Sequence, residues 1–367
     1  MSDLTQIRAI AAHFCPDAPV GIKEMTSGNV NVTYRLDYDP ADRSRSLVLQ
    51  RINTQAFHDP QALMENIRLV TAHIRAALTT QGVDYTRRVL DFLPVTGGES
   101  LLWQEPDGSA WRCYRFVDGV TAYDRIESAA LFCEAGRGFG GFQNLLSDFP
   151  AERLTETIPG FHDTPRRYAA FRAAVEADRA GRAAAVAEEI AFFDARAERM
   201  RGIVDRLASG ELPLRVTHND TKLNNVLIDN ESGRAICVID LDTVMPGSVL
   251  YDFGDAVRYG ACTAAEDEPK LSRIGFDMEL FRGFAEGFLA ETAGRLTTAE
   301  LKLLPLGVEV ITCELAMRFL TDYLDGDRYF KIHYPEHNLV RARAQMKLLT
   351  EVEALRPQMD ACIEGLL

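Results

Sequence analysis

The chain is short of the features that mark secreted, metal-clasped or membrane-spanning proteins. Its seven cysteines among 367 residues are odd in number and scattered, at 15, 113, 133, 237, 262, 313 and 362, and none forms a C-x-x-C pair. That disfavours a disulfide framework and a structural zinc site, and it fits a reducing cytoplasm. Positive charge is scarce too, with 40 Lys+Arg against 54 Asp+Glu for a formal charge of -14. No surplus of cations exists to displace the counterions of a nucleic acid. No run of about 18 uncharged apolar residues occurs, and the opening MSDLTQIRAIAAHF lacks the basic end and cleavage site of a signal peptide. A cytoplasmic protein without nucleic-acid or membrane partners is expected. The pattern G-x-x-x-x-G-K-[ST] is also missing, which excludes a Walker-type phosphate loop.

What is present suggests two lobes, because 367 residues exceed the size at which one core usually stops growing. Residues 4–14 have helical apolar spacing, and NVTYRLDYD and RSLVLQRIN then read as strands. A helix opens at Pro60, with apolar residues at 63, 67, 70, 74 and 78. SLLWQ and AWRCYRFV are further strands around the turn Pro106-Asp107-Gly108. After Asp118-Gly119 the pattern becomes helical, including Arg166 to Leu207 with a break near Gly181. The expected fold is α+β. Residues 1–113 form a small antiparallel β lobe with one main helix, 114–119 a hinge, and 120–367 a larger, mainly helical lobe.

Two segments crowd polar groups beside apolar runs, VTHNDTKLNNVL from Val216 and ICVIDLDTVMPG from Ile236. Between them lies a hairpin with its turn at Asn230-Glu231-Ser232-Gly233. A turn centred near Ser232 and Gly233 sets Asn225 opposite Asp240, with Asp220 reaching the same end. Asn225 and Asp240 offer hard oxygen ligands suited to Mg2+ carried on phosphates. Asp220 is left to accept a proton from an attacking hydroxyl, and Lys222 to place positive charge over the transferred group.

His218-Asn219-Asp220 followed by Asn225 matches the H-x-D-x-x-x-x-N loop of protein-kinase-like phosphotransferases, and Val238-Ile239-Asp240 matches their metal-binding strand. With GSVLYDFGD, the set resembles the aminoglycoside phosphotransferase and choline kinase superfamily. The resemblance implies a two-lobed protein-kinase-like fold, Asp252 bracing the catalytic loop, and a His218 that orients the loop instead of acting as base. Asn219 stands where the superfamily usually has glycine. On the larger lobe, FQNLLSDF, LTETIPGFHDTPRRY, IDLDTVMPGS, MRFLTDYLDGDRYF and YPEHNLVR resemble the N-acetylhexosamine 1-kinases. This implies phosphorylation of the anomeric hydroxyl of N-acetylglucosamine or N-acetylgalactosamine with ATP and Mg2+. It also implies Arg318 and Tyr329 as sugar contacts, with Asp220 on the hydroxyl it activates. Asn31 is a further candidate for lining the cleft. For Arg318 the alternative is an internal ion pair with Glu314, four residues earlier.

The nucleotide site is less marked. Ser27, Gly28 and Asn29 in TSGNVNVTYRL form a polar turn whose backbone can approach phosphates. Gly136 to Gly141 fits G-x-G-x-x-G, but inside a helical stretch, where close helix packing is the expected role. The lysine that protein kinases place on their third strand is missing from Leu47-Val48-Leu49-Gln50-Arg51, leaving Gln50 or Arg51 as substitutes, with Glu65 a possible partner for Arg51. By analogy with the kinase hinge, Tyr114 and Phe116 would meet adenine. Asp255 and Arg258 have helix-pair spacing, and the proline between His333 and His337 argues against zinc there. Two other readings stand beside the N-acetylhexosamine kinase. One is a small-molecule kinase of the same fold acting on another sugar, an amino sugar or an aminoglycoside. The other is a non-catalytic kinase-fold binding module.

Overall fold

The structure, a computed structural model, describes residues 4–25, 30–39, 41–292 and 294–367. Ser27, Gly28 and Asn29 lie outside the described residues. Helix α1 (Leu4–Ala11) precedes strands β1 (Gly21–Met25), β2 (Val32–Asp37) and β3 (Leu47–Ile52), helix α2 (Pro60–Thr80), and strands β4 (Trp103–Gln104) and β5 (Ala110–Arg115). These strands form one sheet in the order β1-β2-β3-β5-β4, antiparallel throughout. On one face Tyr34, Leu36, Leu49, Trp111 and Cys113 pack with Ile7 and Ile10 of α1. Side chains alternate along a strand, so Thr33, Gln50 and Arg112, which are cross-strand neighbours, occupy the opposite face. The main helix follows from its sequence. Asp59 accepts the Ala62 N–H, Pro60 opens the first turn, and Leu63, Ile67, Val70, Ile74 and Leu78 are buried.

The remainder comprises β6 (Val120–Ala122), α3 (Ala129–Leu145), α4 (Thr164–Ala177), α5 (Ala187–Asp194), α6 (Ala197–Met200) and α7 (Gly202–Ser209). Then come β7 (Arg215–Thr217), β8 (Val226–Asp229), β9 (Ala235–Val238), β10 (Met245–Gly247), α8 (Val249–Gly260), α9 (Met278–Thr292), α10 (Thr298–Asp325) and α11 (His337–Leu366). The fold is α+β: an antiparallel sheet on the amino-terminal side and a larger helical part. The break near Gly181 is present, with that glycine at φ +66° after α4. β8 and β9 make the hairpin, β6 adds a third strand beside β8, and β7 pairs with β10. None of the helices among the described residues is long and apolar enough to cross a membrane.

Glycines set two helix contacts. A Cβ built on Gly136 would lie 2.3 Å from the Phe284 carbonyl oxygen, and one on Gly287 would lie 1.9 Å from that of Cys133. Within the G-x-G-x-x-G run, Gly136 and Gly140 thus pack α3 on α9, while Gly138 packs on Val226 and Ala235 of the hairpin. Gly254 of α8 and Gly307 of α10 meet in the same way, a Cβ on Gly254 falling 2.4 Å from the Gly307 oxygen.

The two parts share apolar core. The α2 stripe belongs to one cluster with Phe142, Val216, Leu227, Leu241 and Val244. Asn66 of α2 donates to the carbonyls of Thr155 (2.7 Å) and Val244 (3.0 Å) and accepts the Thr155 N–H (2.9 Å). Burial of an amide with all these partners satisfied holds α2 against the chain that follows Asp240.

Candidate active site

β7 leads into the loop from His218, and the 3-10 turn Leu223–Asn225 leads out of it into β8. The loop is braced from α8. Asp252 is buried, and its carboxylate accepts the His218 N–H at 2.9 Å, the Asn219 N–H at 2.8 Å and the Gln143 side-chain amide at 2.7 Å. Burial pushes its carboxyl above the ordinary range, against the pull of His218 and these hydrogen bonds. One turn on, Asp255 accepts the Thr221 N–H at 3.1 Å and pairs with Arg258 at 2.8 Å. Burial would raise Asp255, but Arg258 and Lys222 outweigh it and hold the carboxyl low.

His218 is fully buried, edge-on to Phe139 and Phe142. Its Nδ1 accepts the Asp220 N–H at 3.3 Å, so Nε2 carries the proton and donates to the Ile239 carbonyl at 2.9 Å. Both ring nitrogens are occupied in holding the loop, Nε2 to the residue just before Asp240. Asn219 adopts φ 64°, a left-handed conformation that asparagine tolerates, and its side chain donates to the Thr243 carbonyl at 2.8 Å. Asparagine thus meets the backbone demand a glycine would meet and adds a tether.

Asp220 is held from two sides, by Lys222 Nζ at 2.6 Å and by Asn225 Nδ2 at 3.1 Å. The same Asn225 nitrogen donates to the Asp220 carbonyl at 2.8 Å. For Lys222, burial alone would lower the ammonium, but Asp220 and Asp255 outweigh it and raise it, so it stays charged. The hairpin register differs from the expectation. Val226 faces Val238, and the Ile239 N–H donates to the Asn225 carbonyl at 2.9 Å, so Asn225 lies opposite Ile239, not Asp240. The turn is centred earlier than Ser232 and Gly233, with Ile228 facing Ala235, and an irregularity between Leu227 and Ile228 then shifts the register by one residue. Asp240 follows in a left-handed conformation, φ 59°, which turns the chain out of the strand. Asp240 as a residue is exposed, yet protein crowds around its carboxyl. Burial, together with Asp242 and Asp220, pushes it up to about 6. Such crowded negative charge and hard oxygen donors fit a divalent cation, and Asn225 Oδ1 carries no hydrogen bond among the described residues, leaving it available as a ligand.

Arg318 sits 3.5 Å from the Tyr329 hydroxyl and against the rings of Phe161, Tyr329 and Phe330. Its contact with Glu314 is long, 4.0 Å. The buried Glu314 is taken more closely by His162 at 3.0 Å and by Arg167 at 3.5 Å. Burial lowers Arg167, and the neighbouring Arg318 lowers it further. Asp322 orders the adjoining turn by accepting the N–H groups of Arg328, Tyr329 and Phe330 at 2.8, 2.8 and 2.9 Å. Tyr329 is consequently fixed at its backbone while its side chain is 73% exposed.

Other candidates fall elsewhere. Asn31 donates to Asp242 at 2.6 Å and accepts the Asn53 N–H at 3.0 Å, so its amide joins the small sheet to the Asp240 turn. Gln50 bridges Thr33 (3.0 Å) and Arg112 (2.9 Å). Arg51 is exposed, and Glu65 pairs with Arg68 at 2.6 Å instead. Tyr114 packs on Phe92, and the Phe116 N–H donates to the Ser46 carbonyl at 3.0 Å. His337 is buried against Asp267, and among the described residues no group of three or more His, Cys, Asp or Glu is arranged to hold a metal. Sequence reasoning missed Arg112 and Asp242, a buried ion pair across the junction. The signal was present only as two strand residues, Gln50 and Arg112, whose cross-strand pairing a single sequence does not announce.

Comparison with known proteins agrees with this geometry. Residues 21–290 match the model of the phosphotransferase enzyme family. Among solved structures, a microcompartment-associated aminopropanol kinase superposes with a TM-score of 0.66 at 19% identity, over 98% of this chain and 99% of its own. A choline kinase from Cryptosporidium parvum gives 0.59 at 14% identity, over 99% of each chain. A spectinomycin phosphotransferase in complex with ADP and spectinomycin gives 0.56 at 13% identity, over 95% of this chain and 98% of its own. At these identities the likeness is one of fold.

Proposed function

The chain belongs to the phosphotransferase enzyme family, and from that membership we propose that it transfers the γ-phosphoryl group of ATP to the anomeric hydroxyl of an N-acetylhexosamine, N-acetylglucosamine or N-acetylgalactosamine, giving the 1-phosphate. In this reading residues 114–119 are the hinge between a nucleotide-binding lobe and a catalytic lobe. Asp220 orients the sugar hydroxyl and accepts its proton, an undemanding task because the anomeric hydroxyl is the most acidic on a hexose. Lys222, two residues away, sets positive charge beside the moving phosphoryl group. Asn225 and Asp240 would hold Mg2+, which when bound neutralises charge on the phosphates. Arg318 and Tyr329 hold the sugar.

The observation that carries the choice of acceptor is the charge around Glu314. Two guanidiniums, Arg167 and Arg318, share this one buried carboxylate. Because His162 and Arg167 take Glu314 more closely, the Arg318 guanidinium is left to face an acceptor, and it suits hydroxyl and amide oxygens better than the protonated amine of an amino alcohol or aminoglycoside. The flanking rings of Phe161 and Tyr329 offer flat apolar surface to a sugar ring.

The test is ADP release with N-acetylglucosamine, N-acetylgalactosamine, glucosamine, an aminoglycoside and an amino alcohol, with and without Mg2+, and identification of the phosphorylated carbon. Turnover of the N-acetylhexosamines at C1 supports the proposal. Preference for a cationic acceptor, or phosphate at another carbon, refutes it while keeping the kinase. Nucleotide binding without turnover of any acceptor would point to a binding module.

A further inference from the structure

The third strand of the small sheet carries no lysine, so the nucleotide's phosphates need another partner from that lobe. On the sheet face away from α1, Thr33, Gln50 and Arg112 form a row across β2, β3 and β5. Gln50 ties the row together, donating to Thr33 Oγ1 and accepting from Arg112 Nε. Arg112 is 2% exposed, and its Nη1 pairs with Asp242, two residues beyond Asp240. Its Nη2 makes no hydrogen bond among the described residues. Asp242 is also gripped by Asn31, which stands just before β2. Tyr114, two residues along β5 and therefore on the same face, marks the hinge end of the row. Arg112 thus lies between Tyr114, at the end of β5 that leads to residues 114–119, and the turn that carries Asp240 and Asp242, the span along which the phosphates would run.

Of the other cations on this sheet, Lys23 shares the face but is exposed on the edge strand β1, opposite Arg35 and two strands away from Gln50. Arg35 shares this face but is paired with Asp37 at 2.9 Å and lies over Phe116, at the hinge end. Arg51 pairs across strands with Trp111, on the α1 face, and is exposed.

We propose that Arg112 binds the nucleotide's phosphates from the small lobe in place of the missing strand lysine, with Gln50 and Asp242 holding its guanidinium in position. The contact is made through the terminal nitrogen that the protein leaves free. The proposal rests on the phosphotransferase reading of the site, and it concerns ground-state binding of a nucleoside diphosphate or triphosphate.

Calorimetric titration of the full chain with ADP and with adenosine tests it, because adenosine has the base and ribose but no phosphate. Arg112→Met is expected to weaken ADP binding by about tenfold to a hundredfold, the range for a lost charge-assisted contact, while adenosine affinity stays within about twofold. Arg112→Lys is expected to recover most of the ADP affinity. The double variant Arg112→Met/Asp242→Asn removes both buried charges together, so the comparison survives if the single variant fails to fold. Equal loss of ADP and adenosine would overturn the proposal by showing a purely architectural role. Unchanged ADP binding in Arg112→Met would overturn it as well. A wild-type chain that binds neither ligand would overturn the nucleotide reading itself, a result distinct from either.

Discussion

Asp252→Ala separates bracing from chemistry. The carboxylate accepts three hydrogen bonds from buried donors, two of them backbone N–H groups of the loop that carries Asp220. Hydrogen bonds to a charged acceptor are worth about 1.5–3 kcal/mol each, and a buried donor left unpaired costs its desolvation. The Gln143 amide keeps a second acceptor, the Val216 carbonyl at 2.9 Å, so its loss is the mildest. The two backbone donors have no alternative, and water entering the vacated space recovers part of their loss. The expected destabilisation is about 4 kcal/mol for Asp252→Ala. Asp252→Asn keeps one acceptor oxygen but turns a donor toward a donor, and about half that loss is expected. Urea unfolding measures the stabilities, and initial rates with the N-acetylhexosamine acceptor measure turnover. Because the anchored segment positions Asp220, kcat is expected to fall with the stability while KM for ATP changes little. A variant within about 1 kcal/mol of wild type would refute the bracing role. A large loss of kcat at full stability would place Asp252 in the chemistry instead.

Asp220→Asn should leave unfolding and ADP binding nearly unchanged while turnover drops by roughly two or more orders of magnitude, and near-normal turnover would remove Asp220 from its role. Glu314→Gln should raise KM for the acceptor and lower stability at neutral pH. His162, Arg318 and Arg167 together outweigh burial and hold the Glu314 carboxyl below its ordinary 4.5. Its contribution is therefore full above that value and lost as pH falls through the lower folded value, so urea midpoints of wild type and variant should converge in acid. Gly287→Ala drives a methyl to 1.9 Å from the Cys133 oxygen and should cost about 3 kcal/mol or more, whereas Gly141, with nothing within 4 Å of its built Cβ, should gain roughly 0.5–1 kcal/mol on Gly141→Ala. Thermal unfolding of the pair checks both signs.

Local pattern carried most of the architecture into the sequence. The spacing of Leu63, Ile67, Val70, Ile74 and Leu78 sets α2, and the Asn230–Gly233 turn sets the hairpin, because each is decided by neighbours a few residues apart. The loop from His218 was legible for the same reason. What was lost is what depends on register and long range. An earlier turn and a register irregularity between Leu227 and Ile228 together moved Asn225 from Asp240 to Ile239, and a period-2 element gives no warning of such a slip. Arg112 and Asp242 are 130 residues apart, and neither breaks its local pattern. Asn219 looked like an unexplained substitution until its φ of 64° supplied the reason.

The contact between Gly254 and Gly307 bears on what the enzyme can accept. α8 carries Asp252 and Asp255, which support the loop of Asp220, while α10 carries Glu314 and Arg318. The two helices touch backbone to backbone at a point where neither has a side chain. Under the proposed roles, the reach from Asp220 to Arg318 is gauged at this point by main-chain thickness, with no rotamer to relax it. A single methyl placed there would act as a shim, widening that span without altering any group that touches a substrate. Acceptor size in this scaffold is therefore open to change from a position buried between two helices.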